Sequence, residues 1–277
     1  LLQVVDLDGD VYSMGLRSAL NVSDDDQLLE QILTARKKFR ERLDKSDISN
    51  FVESFDKEVF NSNASVAENL LFGTPKGDSF SAENIGTHAY VLEILESVGL
   101  KDKFIRIGRD VASTMVELFA DLPSDHEYFS QYSFISSENL PVFQTLLARS
   151  ERLGLENMST EDRNQFLSLP FKIIPARHRL DLITDDIQKR ILEARKLFAE
   201  EIGDELSDEI EFFDAGHYNR SSSIQDNILF GKIASDKANA IDEVNHLVTK
   251  IIDQENLRPV IINAGLDSQA GLAGSRL

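Results

Sequence analysis

Apolar residues along most of this chain recur every three to four positions, the spacing of a helix with one buried face. Leu28, Leu29, Ile32, Leu33, Phe39 and Leu43 predict a first long helix, started by Ser23 with Asp24, Asp25 and Asp26. Ile187, Ile191, Ala194, Phe198 and Ile202 predict another, started at Thr184. Between them the pattern predicts a helix from about Ser81 to Val98, stopped by Gly99, and a helix through Val111 to Leu122. A further helix has Pro141 in its first turn and a stop near Gly154, and a short one is capped at Ser159 or Thr160. Phe51–Phe60 includes a short extended segment, residues 171–180 read as a strand broken by Pro175, and a last helix spans Asp236–Asp253. The expected fold is mainly α, with helical bundle-like subdomains and a few short strands.

The pattern repeats. Ser65–Gly73 reads S-V-A-E-N-L-L-F-G and Ser223–Gly231 reads S-I-Q-D-N-I-L-F-G. Phe55, Asp56, Phe60 and Asn61 precede the first as Phe213, Asp214, Tyr218 and Asn219 precede the second. Further upstream, Leu28, Ile32, Ala35, Arg36, Lys37 and Phe39 are answered by Ile187, Ile191, Ala194, Arg195, Lys196 and Phe198, with a slip of one residue between the blocks. Downstream, Leu100, Phe104, Ile105 and Ile107–Gly108 match Leu257, Ile261, Ile262 and Ala264–Gly265. A period this long marks a duplicated structural unit. The expected division is 1–110, a first repeat; 111–180, an intervening helical segment; and 181–277, the second repeat.

Each nonapeptide predicts a short capped helix. Ser65 and Ser223 are N-caps, and Glu68 and Asp226 stand three residues on, where a carboxylate can close a capping box. Gly73 and Gly231 are expected to end the helices in the left-handed conformation.

S-I-x-D/E-N-I-L-F-G also resembles the segment after the Q-loop of ATP-binding cassette (ABC) proteins of the exporter type. The resemblance covers residues 213–277 well and 55–110 more loosely. The tail from Gly265 to Leu277, G-L-D-S-Q-A-G-L-A-G-S-R-L, resembles the approach to the signature motif. It implies Q-loop-like positions at Asp56 and Asp214, pre-signature positions at Gly271, Gly274 and Ser275, and ATP with magnesium as cofactors of a parent protein. The implied partners are a transmembrane domain or the rest of the ATPase core. The chain departs from the family where chemistry is concerned. It has no G-x-x-x-x-G-K-S/T loop to cradle phosphates and no apolar strand ending in Asp-Glu. The expectation is a fragment or insertion with no complete catalytic set of its own.

Composition narrows the alternatives. Forty-eight acidic against 29 basic residues give a formal net charge of −19, which disfavours nucleic acid and anionic membranes as partners. There are no cysteines, and no apolar run approaches the roughly 20 residues of a membrane helix. A cytoplasmic location is expected, at the inner face of a membrane if the parent transporter holds the chain there. The five histidines lack metal-site spacing, so no metal site is expected.

Three further readings concern clusters of charged residues. Asp6 and Asp8, after an apolar start, resemble the first motif of haloacid-dehalogenase-type phosphatases; a strand followed by an acidic glycine turn explains them more simply. Arg36, Lys37, Lys38, Arg40 and Arg42 read as a solvated face complementing the helix dipole, and Arg177, His178 and Arg179 as a compact basic spot that could take an anion. A free-standing acidic helical interaction module is the alternative to the ABC fragment.

Overall fold

Ser65 and Ser223 cap helices as their positions predict. In the computed structural model, which describes residues 8–20, 26–123, 126, 129 and 133–274, each side chain accepts the N–H three residues on. At Ser65 the box closes, because Glu68 reaches back to the Ser65 N–H at 2.8 Å. Asp226 is one methylene shorter and takes the Ser223 hydroxyl at 2.7 Å instead. Ser23, Asp24 and Asp25 lie outside the described residues.

In chain order the elements are α1 (Asp8–Arg17), α2 (Asp26–Leu43), β1 (Val52–Ser54), α3 (Val66–Leu71), β2 (Gly73–Pro75), α4 (Ala89–Ser97), α5 (Lys101–Phe119), α6 (Leu140–Leu153), α7 (Thr160–Ser168) and α8 (Pro175–His178). Then follow α9 (Asp185–Glu201), α10 (Asp204–Ser207), β3 (Ile210–Phe212), α11 (Ile224–Leu229), β4 (Gly231–Ile233), α12 (Ala240–Gln254) and α13 (Arg258–Gly274). The fold is mainly α, with two two-stranded ladders, β1–β4 and β2–β3, among the described residues.

The chain forms two compact units. One takes the residues up to Asp56 together with those from Glu211 onward; the other is Lys57–Ile210. These boundaries cut through the repeats, unlike the division at 110 and 180. In the first unit α2, from the first copy, packs on α11 and α12, from the second. In the other unit α9, from the second copy, packs on α3 and α4, from the first. Each unit therefore joins the leading helix of one copy to the nonapeptide of the other.

The first unit's core is the predicted face of α2 (Ile32, Ala35, Phe39, Leu43) against Ile224, Ile228 and Leu229 of α11 and Val244, Val248 and Ile251 of α12. Strand β1 lies antiparallel to β4, with Ser54 opposite Gly231. A Cβ on Gly231 would stand 2.4 Å from Glu53 O, so the strands meet this closely only with glycine there. Helices α1 and α13 cross in backbone contact: a Cβ on Gly15 would lie 1.8 Å from Ile261 O, and one on Gly265 2.0 Å from Val11 O.

The second unit's core is aromatic. Phe80 meets Phe198 edge-on at 5.6 Å and Phe104 meets Phe171 at 5.4 Å. Helix α5 lies on α6 and α7. A Cβ on Gly108, the sequence counterpart of Gly265, would come 1.9 Å from Phe166 O. The same glycine thus sets a close helix crossing in each unit.

Several expectations are corrected. The nonapeptide helices end on Phe72 (φ 45°) and Phe230 (φ 43°) in the left-handed region, while Gly73 and Gly231 open strands. The span from Ser81 becomes a 3-10 turn at Ile85–Thr87 before α4, and Gly99 (φ 67°) ends that helix as predicted. The span from Asp236 is helical only from Ala240. Residues 171–180 hold a 3-10 turn and α8 rather than a strand, because Pro175 enters at a helix N-terminus. The glycine-containing tail is helical as far as Gly274, so both copies continue as helix beyond Gly108 and Gly265. Gly9 sits inside α1, not in a turn. No helix among the described residues is long and apolar enough to cross a membrane.

Candidate functional site

The segment with the most organised polar geometry in each unit is the approach to its nonapeptide, and an arginine lies at its centre. Arg36 is 6% exposed on α2. Its Nε donates to Asn227 O at 2.6 Å, and Nη1 donates to the carbonyls of Asp214 (3.1 Å), Ala215 (2.9 Å) and His217 (3.0 Å). Its Nη2 reaches Asn227 Oδ1 at 3.1 Å, and the guanidinium lies 4.7 Å over the Phe230 ring. The Asn227 amide holds the loop from the other side, donating to Asn219 O at 2.7 Å and Ser223 O at 3.0 Å while its oxygen takes the Asn219 N–H at 2.8 Å.

The second unit repeats this arrangement. Arg195 Nε donates to Asn69 O at 2.6 Å, Nη1 to Lys57 O (2.8 Å) and Val59 O (3.1 Å), and Nη2 to Asn69 Oδ1 (3.0 Å). It covers Phe72 at 4.8 Å. The geometry explains why phenylalanine tolerates φ > 0 twice. The turn cap N–H is satisfied, by Glu68 O in one case and Asp226 O in the other, and the ring is pinned under a cation.

All five acceptors of Arg36 are neutral. Burial therefore lowers its pKa to about 10, against a smaller opposite effect of the Asp214 charge. Asp214, the Q-loop-like position, is exposed. Its carboxylate accepts the Gly216 N–H at 2.6 Å and pairs with His217 Nδ1 at 3.1 Å, and the Gly216 bond is the main cause of its lowered pKa. It shapes the turn that offers three carbonyls to Arg36. Asp56, its sequence counterpart, is exposed where the first unit's leading segment ends. Of the pre-signature positions, Gly271 and Gly274 fall in the last turns of α13, and Ser275 lies outside the described residues.

Asp6 and the apolar run before it lie outside the described residues, and Asp8 starts α1. No group of three His, Asp or Glu able to hold a metal ion occurs among the described residues.

At the basic spot Arg177 and Arg179 are exposed and His178 turns inward. His178 is half-buried against Phe134, and its Nδ1 accepts the Ile174 N–H at 2.8 Å, which holds the ring neutral. Burial first, then the Arg177 charge, lower its pKa to about 4. A folded-state pKa below the unfolded value of 6.5 means this contribution to stability is complete above pH 6.5 and is lost as pH falls toward 4. Urea midpoints of the wild type should therefore drop across that window, and His178→Asn should flatten the drop. An unchanged acid limb in the variant would assign the loss to other groups.

Sequence reasoning placed Arg36 on a solvated face and gave Asn69 and Asn227 no role. The available signal was the repeat itself, since Arg36 and both asparagines recur whereas Arg40 and Arg42 become Ala199 and Glu201. Comparison with protein-family models, curated proteins and solved structures found no match for the chain.

Proposed function

We propose that this chain is a non-catalytic helical part of an ABC transporter ATPase, with a coupling or architectural role, ATP hydrolysis belonging to the intact parent. The observation that carries the reading is the second nonapeptide. Its S-I-Q-D-N-I-L-F-G sequence resembles the exporter-type post-Q-loop segment, and a capped helix ending in a left-handed Phe leads from it through α12 to the pre-signature-like tail. On this reading residues 214–227 face the transport partner at the inner surface of a membrane, and Gly271, Gly274 and Ser275 lead toward the nucleotide interface. The first copy packs rather than meeting nucleotide. ATP and magnesium would be held by loops of the parent that this sequence does not contain.

Two measurements test the reading. Translation of the locus beyond Leu277 is expected to give a signature motif and then an apolar strand ending in paired acids; a stop codon there would favour the free-standing acidic module. Titration of the 277-residue chain with MgATP is expected to show no micromolar binding, because the sequence has no G-x-x-x-x-G-K-S/T loop. Micromolar affinity would overturn the non-catalytic reading.

A further inference from the structure

Five cations lie on the C-terminal half of α2, and their partners divide them. Arg36 is held by carbonyls, Lys38 pairs with Glu255 at 2.5 Å, and Arg42 bonds Gln254. Lys37 is exposed with no ion-pair partner among the described residues. Arg40 is half-buried, yet its contacts are long: 3.5 Å to Leu229 O and 3.9 Å to Asp44. These two under-used cations line one cleft of about 460 Å³, whose other walls are Arg36, Phe55, Leu229 and Phe230.

The cleft is electropositive in a strongly acidic protein. Glu41 is the one carboxylate on its wall, against three cations, and the hydrogen-bond acceptors of Arg36 are all neutral, with the nearby Asp214 charge a smaller influence. The Asp214 carboxylate is engaged by Gly216 and His217. In the same cleft, Phe55 and Phe230 meet edge-on at 5.7 Å and supply an apolar wall.

The duplication provides an internal control on whether the fold needs these charges. In α9 the position of Arg40 is Ala199, and Lys196, the counterpart of Lys37, lies 4.0 Å from Glu200. The second unit builds the same arginine nest without the extra cation. Packing therefore does not explain Arg40.

We propose that this cleft binds a small organic anion: a phosphate or carboxylate head between Arg40 and Lys37, on an apolar body seated against Phe55, Leu229 and Phe230. Its volume is within the usual range for small-ligand sites, and the combination of an apolar wall with a few converging charges is their usual chemistry. The proposal is independent of the ABC reading, which gives these cations no role.

The test is a titration of the full 277-residue chain, followed by calorimetry and by amide NMR shifts, with phenyl phosphate, benzoate, inorganic phosphate and benzyl alcohol. Phenyl phosphate or benzoate should bind at least about tenfold tighter than inorganic phosphate or benzyl alcohol, since each of those offers only half of the recognition. The tighter of the two aryl anions identifies the head group. Shifts should centre on residues 36–41, 54–55 and 229–230. Arg40→Ala should lose about tenfold or more in affinity while keeping the wild-type fold, alanine being what the second copy carries there. Lys37→Ala should weaken binding less, and added salt should weaken it in the wild type. Equal affinity for phosphate and phenyl phosphate, shifts centred elsewhere, binding unchanged in Arg40→Ala, or no binding of either aryl anion at millimolar concentration would each overturn the proposal.

Discussion

Arg36→Ala is expected to destabilise the first unit by roughly 3 kcal/mol or more, and Arg195→Ala the second by a similar amount. Truncating Arg36 removes every bond from the guanidinium to Asn227 and to the carbonyls of Asp214, Ala215 and His217. Water can reach some of those carbonyls, because residues 214–217 are exposed, but Asn227 is 2% exposed: its main-chain oxygen has no such alternative, and its Oδ1 keeps only the Asn219 N–H. The usual rescue for a buried charge, replacement of both partners by apolar groups, is closed here because most of the acceptors are backbone. Arg36→Lys should recover little: an ammonium cannot span the acceptors that the planar fork reaches together. Urea unfolding gives the magnitude, and hydrogen exchange the place. Protection should fall in α2, α11 and residues 211–234 for Arg36→Ala, and in α9, α3 and residues 57–75 for Arg195→Ala. A loss below about 0.5 kcal/mol would mean the nest is ornamental to stability.

How much of this was readable beforehand depends on which physical signal each residue carries. The caps at Ser65 and Ser223 were legible because a hydroxyl before an apolar run with an acid following has few other uses, whereas Ser159 and Thr160 stood as equal candidates until the structure chose Ser159. The buried faces of α2 and α9 were legible from spacing alone. The left-handed Phe72 and Phe230 were not, since the adjacent glycines are the residues that normally take that conformation, and here the glycines serve close strand approach instead. The burial of Arg36 was hidden among four neighbouring cations. Its recurrence in the second copy, where most of those neighbours change, was the readable clue.

The pairing of unlike halves was beyond the sequence for a different reason. Repeats tell which segments are alike, not which segments touch. Leading helix and nonapeptide of one copy are connected by the short run from Leu43 to Ser65, and equally good complementary faces exist on the other copy. Because Arg36 and Arg195 bind the same arrangement of carbonyls and asparagine, either arginine matches either nest. The choice between them is left to chain connectivity and to the helices that follow, among them the crossings set by Gly108 and Gly265.

Those crossings give the second large prediction: Gly265→Ala and Gly108→Ala should each cost roughly 2–3 kcal/mol, although alanine is the better helix former. A methyl at Gly265 would stand 2.0 Å from Val11 O, and one at Gly108 1.9 Å from Phe166 O. Relief requires the helices to part by about 1 Å, and a gap of that size forfeits a quarter to a half of the dispersion attraction along the interface. The obstacle is backbone, which cannot swing aside as a side chain can. Gly9→Ala is the matched control, being in α1 with nothing within 4 Å of the added methyl, and it should be neutral or stabilising by up to about 1 kcal/mol. Thermal unfolding of the three variants separates propensity from packing. Gly15→Ala combined with Gly265→Ala adds a sharper criterion. Both methyls demand the same separation of α1 and α13, so once one has forced it the other costs less, and the double variant should be milder than the sum of the singles. Additive losses, or a Gly265→Ala variant as stable as Gly9→Ala, would mean that the two helices do not meet backbone to backbone.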